Sequence, residues 1–140
     1  MQIEKILLPV DGSDCAVKAA EYTLDFAKLM RSEVLLMYSH KPFPSFLGEP
    51  YFQEVHDKIM NNARGMMAPF IKMFQSAHVQ ADERILNGAP GENICRVAEI
   101  ETCDLIIMGS RGFTDLKGLF LGSVTHRVLH GAPCPVLVIR

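Results

Sequence analysis

The sequence predicts an α/β fold in a single domain, with a parallel sheet covered by helices on both faces. Four short apolar runs and one weakly alternating segment have the length of strands, and near-continuous apolar strands are typical of sheets that are buried on both sides. Segments with apolar residues at helical spacing separate these runs. Because strands and helices alternate along the chain, we expect right-handed crossovers between parallel strands. The length of 140 residues suits one domain.

The first three predicted elements are a strand, a helix and a strand. Residues 3–10 form a short apolar run that ends in the turn Asp11-Gly12-Ser13-Asp14. Ser13 or Asp14 can cap the helix that follows, which is indicated by apolar residues at helical spacing over 16–30. Residues 33–39 form the second strand-length apolar run.

A long helix is predicted in the middle of the chain. Residues 41–50 contain three prolines and predict an irregular loop. Residues 51–77 then carry an apolar stripe whose spacings are three and four residues. Pro69 lies inside this stripe and has no N–H to donate to the carbonyl of Gly65, so we expect a kink or break there.

The remaining elements continue the alternation. A weakly alternating segment predicts the third strand, and two strongly apolar segments predict the fourth and fifth, with one helix before each of these two. The predicted bounds are 78–86, 104–109 and 135–140 for the strands, and 90–103 and 122–131 for the helices.

Composition excludes several classes of protein. Fourteen lysines and arginines against sixteen acidic residues give a net charge of −2, whereas nucleic-acid binders carry a basic excess. No apolar run approaches the roughly 18 residues of a membrane-spanning helix, so we expect no membrane insertion. The N-terminus lacks the pattern of a secretory signal, and the four cysteines are scattered. Scattered cysteines favour reduced thiols in a cytoplasmic protein rather than a disulfide framework or a zinc site.

Two polar, glycine-containing clusters mark the expected binding site. They are residues 11–14 after the first strand and residues 109–112 after the fourth. If these strands are neighbours, both clusters face one crevice at the carboxyl edge of the sheet. The last helix then opens with residues 122–125 (GSVT), and unpaired N–H groups at a helix N-terminus suit phosphate.

The chemistry of the second cluster leaves two interpretations open. Gly112, Gly118 and Gly122 would allow positive φ and close approach to a ligand, while Arg111 and Lys117 would add positive charge. Alternatively, the glycines only make turns.

The spacing Gly109-x2-Gly112-x9-Gly122-Ser123 resembles the G-x2-G-x9-G-[S/T] signature of the universal stress protein family, in its ATP-binding subgroup. The segments KILLPVDGSD, DLIIMGSRG and GAPCPVLVIR also resemble that family, so the likeness covers the whole chain as one domain over 1–140. The resemblance implies a Rossmann-like sheet of order 3-2-1-4-5, similar to the adenine nucleotide alpha hydrolases. It also implies ATP, with Mg²⁺ left open, and a homodimer.

The resemblance assigns roles residue by residue. Pro9 and Val10 would line the adenosine pocket, and Asp11 would bond the ribose or lie near the phosphates. The Ser39 backbone would read the adenine edge, with Met108 and Gly109 under the ribose. Backbone N–H groups would cradle the phosphates, joined by the Ser123 hydroxyl; the residues concerned are Gly112, Gly122, Ser123 and Val124, with Arg111 and Thr125 as additional contacts.

The function that the resemblance implies is nucleotide-dependent regulation in a stress response through an unknown protein partner. No P-loop lysine motif occurs in the sequence, and no general base other than Asp11 is evident. We therefore expect at most weak ATP hydrolysis. The alternatives are an interaction module that ignores nucleotide, and a slow ATPase.

Other segments of the chain allow both a functional and a purely structural explanation. Residues 136–139 form an apolar edge strand, and such an edge favours pairing with a second copy. His126 and His130 lie four residues apart on the last helix; we expect no metal there and favour a polar helix face or an interface. His40 can lie at the pocket mouth. Residues 43–47 form a lid, a surface for a partner, or a loop packed on its own domain.

Overall fold

The computed structural model describes residues 1–42, 48–112 and 120–140. Residues 43–47 and 113–119, with the apolar loop segment, Lys117 and Gly118, lie outside the described residues. The strands and helices alternate as β1 (Lys5–Pro9), α1 (Asp14–Met30), β2 (Glu33–His40), α2 (Tyr51–Ser76), β3 (Ala81–Asn87), α3 (Pro90–Ile100), β4 (Leu105–Gly109), α4 (Ser123–Gly131) and β5 (Val136–Ile139). The sheet order is β3-β2-β1-β4-β5 with parallel pairing, which confirms the predicted fold.

Alternate residues of the central strands serve two hydrophobic cores, one on each face of the sheet. Ile6 and Leu8 of β1 pack with Phe74 and other buried residues of α1 and α2. Leu7, between them, packs on the opposite face with Ile94 and other buried residues of α3 and α4. Because both faces are covered, the strands read as continuous apolar runs in the sequence.

The helix α2 runs through Pro69 without a break. Of the expected kink or break, the break is therefore wrong. The carbonyl that loses its partner belongs to Gly65, and both Gly65 and Pro69 are exposed, so water can satisfy that carbonyl. Met67 and Phe70 are buried on either side of the proline, and this packing holds both halves of the helix against the sheet.

In the described parts of the chain, no helix is both long and apolar enough to cross a membrane.

Candidate functional site

The carboxyl ends of β1 and β4 lie side by side. β1 pairs with β2 on one side, with Pro9 opposite Met37, and with β4 on the other, with Ile6 opposite Leu105. The chain order of the strands reverses between β1 and β4, and this reversal is where doubly wound sheets open a crevice for ligands. The two polar clusters therefore follow neighbouring strands, as the sequence predicted.

Asp11 is held in a tight turn at the end of β1. Its Oδ1 accepts a hydrogen bond from the Ser13 N–H at 2.8 Å. The Ser13 Oγ in turn accepts from the Ala16 N–H at 3.1 Å and caps α1. Of the two predicted caps, Ser13 is the one used. The turn thus fixes a carboxylate at the mouth of the crevice and starts α1 directly behind it.

Ser110 joins the crevice to both β5 and α4. It is 3% exposed, its N–H donates to the Ile139 carbonyl at 2.7 Å, and its carbonyl accepts from the Gly122 N–H at 2.7 Å. Ser110 was within the predicted cluster but had no assigned role. Only the strand pairing reveals that role, because both partners are distant in sequence.

The N-terminus of α4 is built on Gly122. This residue is the N-cap, with φ −75° and ψ 165° and without a side-chain cap. Its φ is negative, so the expected positive φ is wrong at this position; an N-cap residue needs extended backbone instead. The Gly122 N–H is engaged by Ser110. The N–H groups in the first turn of an α-helix have no acceptor within the helix. After Gly122, these are the N–H groups of Ser123, Val124 and Thr125.

Thr125 ties the first turn of α4 to the end of β4. Its hydroxyl donates to the Gly109 carbonyl at 2.8 Å, and the residue is 2% exposed. The side chain therefore points into the domain, and only the Thr125 backbone faces the helix end. A Cβ at Gly109 would lie 2.7 Å from the Cβ of Cys15. The absence of a side chain at Gly109 thus allows α1 to pack closely on β4.

At the end of β2, the Ser39 hydroxyl is held by a buried amide that sequence reasoning missed. Asn93 on α3 is 2% exposed. Its Nδ2 donates to Ser39 Oγ at 3.2 Å and to the Asn87 carbonyl at 2.9 Å, while its Oδ1 accepts from Arg96 at 2.7 Å. A polar residue inside the apolar stripe of α3 is the signal that could have indicated it.

The other predicted site residues lie on the same strand ends. Pro9 is half-buried, and Val10 is buried with its N–H bonded to the Met37 carbonyl at 2.8 Å. The Met108 side chain belongs to the core beside α3 and α4. Arg111 and Gly112 are half-buried directly after β4.

His40 is buried rather than open at a pocket mouth. Its Nδ1 lies 2.8 Å from the Lys41 carbonyl.

An open depression of about 760 Å³ lies at the opposite, amino edge of the sheet. Three of its charged side chains, those of Lys5, Glu33 and Asp104, already pair with protein groups. One oxygen of Asp104 accepts from the Glu4 and Lys5 N–H groups at 2.9 and 3.0 Å, and Lys5 Nζ lies 3.3 Å from Glu33. In a parallel α/β sheet, ligands bind at the carboxyl edge. We therefore place the candidate site at the carboxyl edge and not in this depression.

The fold and the placement of the crevice define a doubly wound α/β domain whose candidate anion site lies at a helix N-terminus. Comparison with known proteins narrows this class. The profile of the universal stress protein family matches residues 2–140. The chain belongs to the universal stress protein family.

Individual relatives agree with this assignment. A universal stress protein of Thermus aquaticus is 37% identical over 135 residues, which cover 96% of this chain and 97% of that protein. The solved structure of the MJ0577 protein of Methanocaldococcus jannaschii superposes with a TM-score of 0.89 at 34% identity, covering 99% of this chain and 96% of that one.

Two more distant family members share the fold alone. One was solved in complex with cAMP, at 18% identity and a TM-score of 0.73, covering 100% and 98% of the two chains. The other, from Archaeoglobus fulgidus, was solved in complex with dAMP, at 20% identity and a TM-score of 0.76, covering 100% of both chains.

Proposed function

We propose that this protein binds adenine nucleotides, ATP among them, and acts as a nucleotide-responsive regulator in a stress response through a protein partner. The observation that carries the proposal is the N-terminus of α4. Three backbone N–H groups without acceptors in the helix meet the end of β4 at the switch point of the sheet. Such donors, together with the helix dipole, favour phosphate.

Each predicted residue receives a role that is consistent with its contacts. The base would lie against Pro9, Val10 and the Ser39 backbone. The ribose would lie beside Asp11, above Met108 and Gly109. The phosphates would meet the backbone N–H groups of the β4–α4 segment and the Arg111 charge. The Gly122 N–H and the Thr125 hydroxyl hold the helix end. We assign the phosphates to the N–H groups of Ser123, Val124 and Thr125 in the first turn of α4, with Gly112 beside them after β4.

Two further observations support the proposal. Relatives in this fold were solved with cAMP and dAMP, which supports adenine nucleotides as the ligand class. The four cysteines are free thiols, which supports a reducing compartment such as the cytoplasm. ATP would carry Mg²⁺ on its phosphate oxygens, and we expect binding with little hydrolysis.

Ser123→Pro tests the site with little disturbance to the helix. Ser123 is the first residue of α4, where proline is well tolerated, and the extended Gly122 backbone before it suits a following proline. The substitution removes one N–H donor and one hydroxyl. Losing a charge-assisted bond of about 1.5–3 kcal/mol should weaken ATP binding by roughly ten- to hundredfold, as measured by calorimetry.

Ser123→Ala is the matched control, since it removes the hydroxyl and keeps the N–H. We expect it to weaken ATP binding less than Ser123→Pro. Absence of ATP binding by the parent protein at millimolar concentration would refute the proposal, and so would equal affinities of the proline variant and the parent. Mass spectrometry of the denatured protein would show whether purified chains already carry nucleotide.

We further propose a homodimer that pairs through the β5 edge. Val136, Leu137 and Val138 are all half-buried in the isolated chain, and an apolar edge strand favours pairing with another strand. Val138→Lys should therefore shift the sedimentation of the protein from dimer toward monomer. Tyr22→Lys, at a 59% exposed position on α1, is the control and should leave the mass unchanged. A monomeric parent protein at micromolar concentration would contradict the proposal.

A further inference from the structure

Two histidines lie side by side on the solvent face of α4. His126 and His130 are four residues apart, so they occupy successive turns of one helix face. Both are exposed. Their ring centroids are 4.7 Å apart, with planes tilted by 49°. The two imidazoles are thus already neighbours.

We propose that His126 and His130 bind one divalent transition-metal ion of the Cu²⁺, Ni²⁺ and Zn²⁺ group. A metal ion bonded to an imidazole nitrogen at about 2.0–2.1 Å lies about 3.2 Å from the ring centroid. The observed 4.7 Å between centroids is shorter than twice this distance, so one ion can reach both rings once a nitrogen of each is turned toward it.

The imidazole ligands indicate which metals the pair prefers. Intrinsic affinities for nitrogen ligands rise toward Cu²⁺ and are lower again for Zn²⁺. We therefore expect Cu²⁺ to bind most tightly, followed by Ni²⁺ and then Zn²⁺.

The surroundings leave the pair open to an ion. Arg127 lies between the two histidines in sequence but is turned toward α3, where a Cβ placed on Gly91 would meet its Cγ at 2.7 Å. Within residues 1–42, 48–112 and 120–140, no group of three or more metal-ligating side chains occurs. The pair would thus hold the ion by two bonds, with water or another ligand completing the shell.

This inference revises the expectation from the sequence. The sequence favoured a polar helix face or an interface, because no third ligand lies nearby along the chain. The structure adds that the two rings are direct neighbours, 4.7 Å apart. The inference does not depend on nucleotide binding.

Calorimetry with Ni²⁺ and the untagged protein tests the proposal. Ni²⁺ is the chosen probe because Cu²⁺ oxidises thiols and Zn²⁺ prefers thiolates, and the chain has four free cysteines. We expect one ion per chain. His126→Gln or His130→Gln should each weaken binding by about tenfold or more, since one imidazole then holds the ion by a single bond. Ni²⁺ should also raise the Tm of the parent protein more than that of either variant.

The control is His78→Asn, at an exposed position outside α4 whose φ of 57° asparagine tolerates. It should bind Ni²⁺ as the parent does. Proton NMR adds a local readout, because paramagnetic Ni²⁺ should broaden the imidazole signals of His126 and His130 together. Loss of affinity in only one glutamine variant, an equal loss in the His78 variant, or broadening at other histidines would overturn the proposal.

Discussion

Thr125→Val should destabilise the protein by removing the bond that ties α4 to β4. Valine keeps the shape of the buried side chain but leaves the Gly109 carbonyl without the donor that now lies 2.8 Å away. Leaving this partly buried carbonyl without its donor costs about 1–3 kcal/mol. For a chain of this length the loss corresponds to a fall in Tm of roughly 3–10 °C, which calorimetric or circular-dichroism melting can measure.

A second buried threonine supplies the control. The Thr23 hydroxyl donates at 2.7 Å to the Ala19 carbonyl, four residues earlier on α1. The Ala19 carbonyl also accepts the regular α-helical hydrogen bond from the backbone. Thr23→Val should therefore lower the free energy of unfolding by less than about 1 kcal/mol. Thr125→Ser keeps the hydroxyl and should recover most of the loss. Equal melting temperatures for Thr125→Val and Thr23→Val would refute the reasoning.

Two further predictions concern packing and ionisation. Gly109→Ala should destabilise by about 1–3 kcal/mol, because its Cβ would lie 2.7 Å from the Cβ of Cys15. Gly65→Ala, in an open position on α2, should instead stabilise the protein by about 0.5–1 kcal/mol. Shifts of the melting temperature in the same direction for both variants would contradict this. Burial raises the pKa of Cys103 from 9.0 to about 11. Folded protein therefore keeps the proton longer than unfolded protein, and stability should fall as pH rises from 9 to 11. Denaturation in urea across that range should show a shallower pH dependence for Cys103→Ala, and unchanged slopes would refute the assignment.

Element types were predictable because the sheet is buried on both faces, but several element ends were not. The third strand begins at Ala81 rather than residue 78, and α3 ends at Ile100 rather than residue 103. His78 and Thr102 adopt left-handed backbone, with φ of 57° and 51°. Such conformations are usually marked by glycine. With other residues in those positions, the sequence contains no signal for where the helix stops.

The site was predictable as a set of segments and not as a set of bonds. The glycine spacing and the ends of the strands located the crevice. The roles of Ser110, Asn93 and Cys15 depend on contacts between parts of the chain that are distant in sequence. No local pattern encodes such contacts, so they emerge only once the strand order is known.

The two backbone bonds of Ser110 link the last strand to the last helix in series. The Ile139 carbonyl holds the Ser110 N–H, and the Ser110 carbonyl holds the Gly122 N–H. Local opening that frees β5 would therefore loosen the attachment of α4 as well. Exchange of the Ser110 and Gly122 amide hydrogens with solvent should proceed as one cooperative event. Any partner that clamps the edge of the sheet would then slow exchange at the helix end, without contacting it.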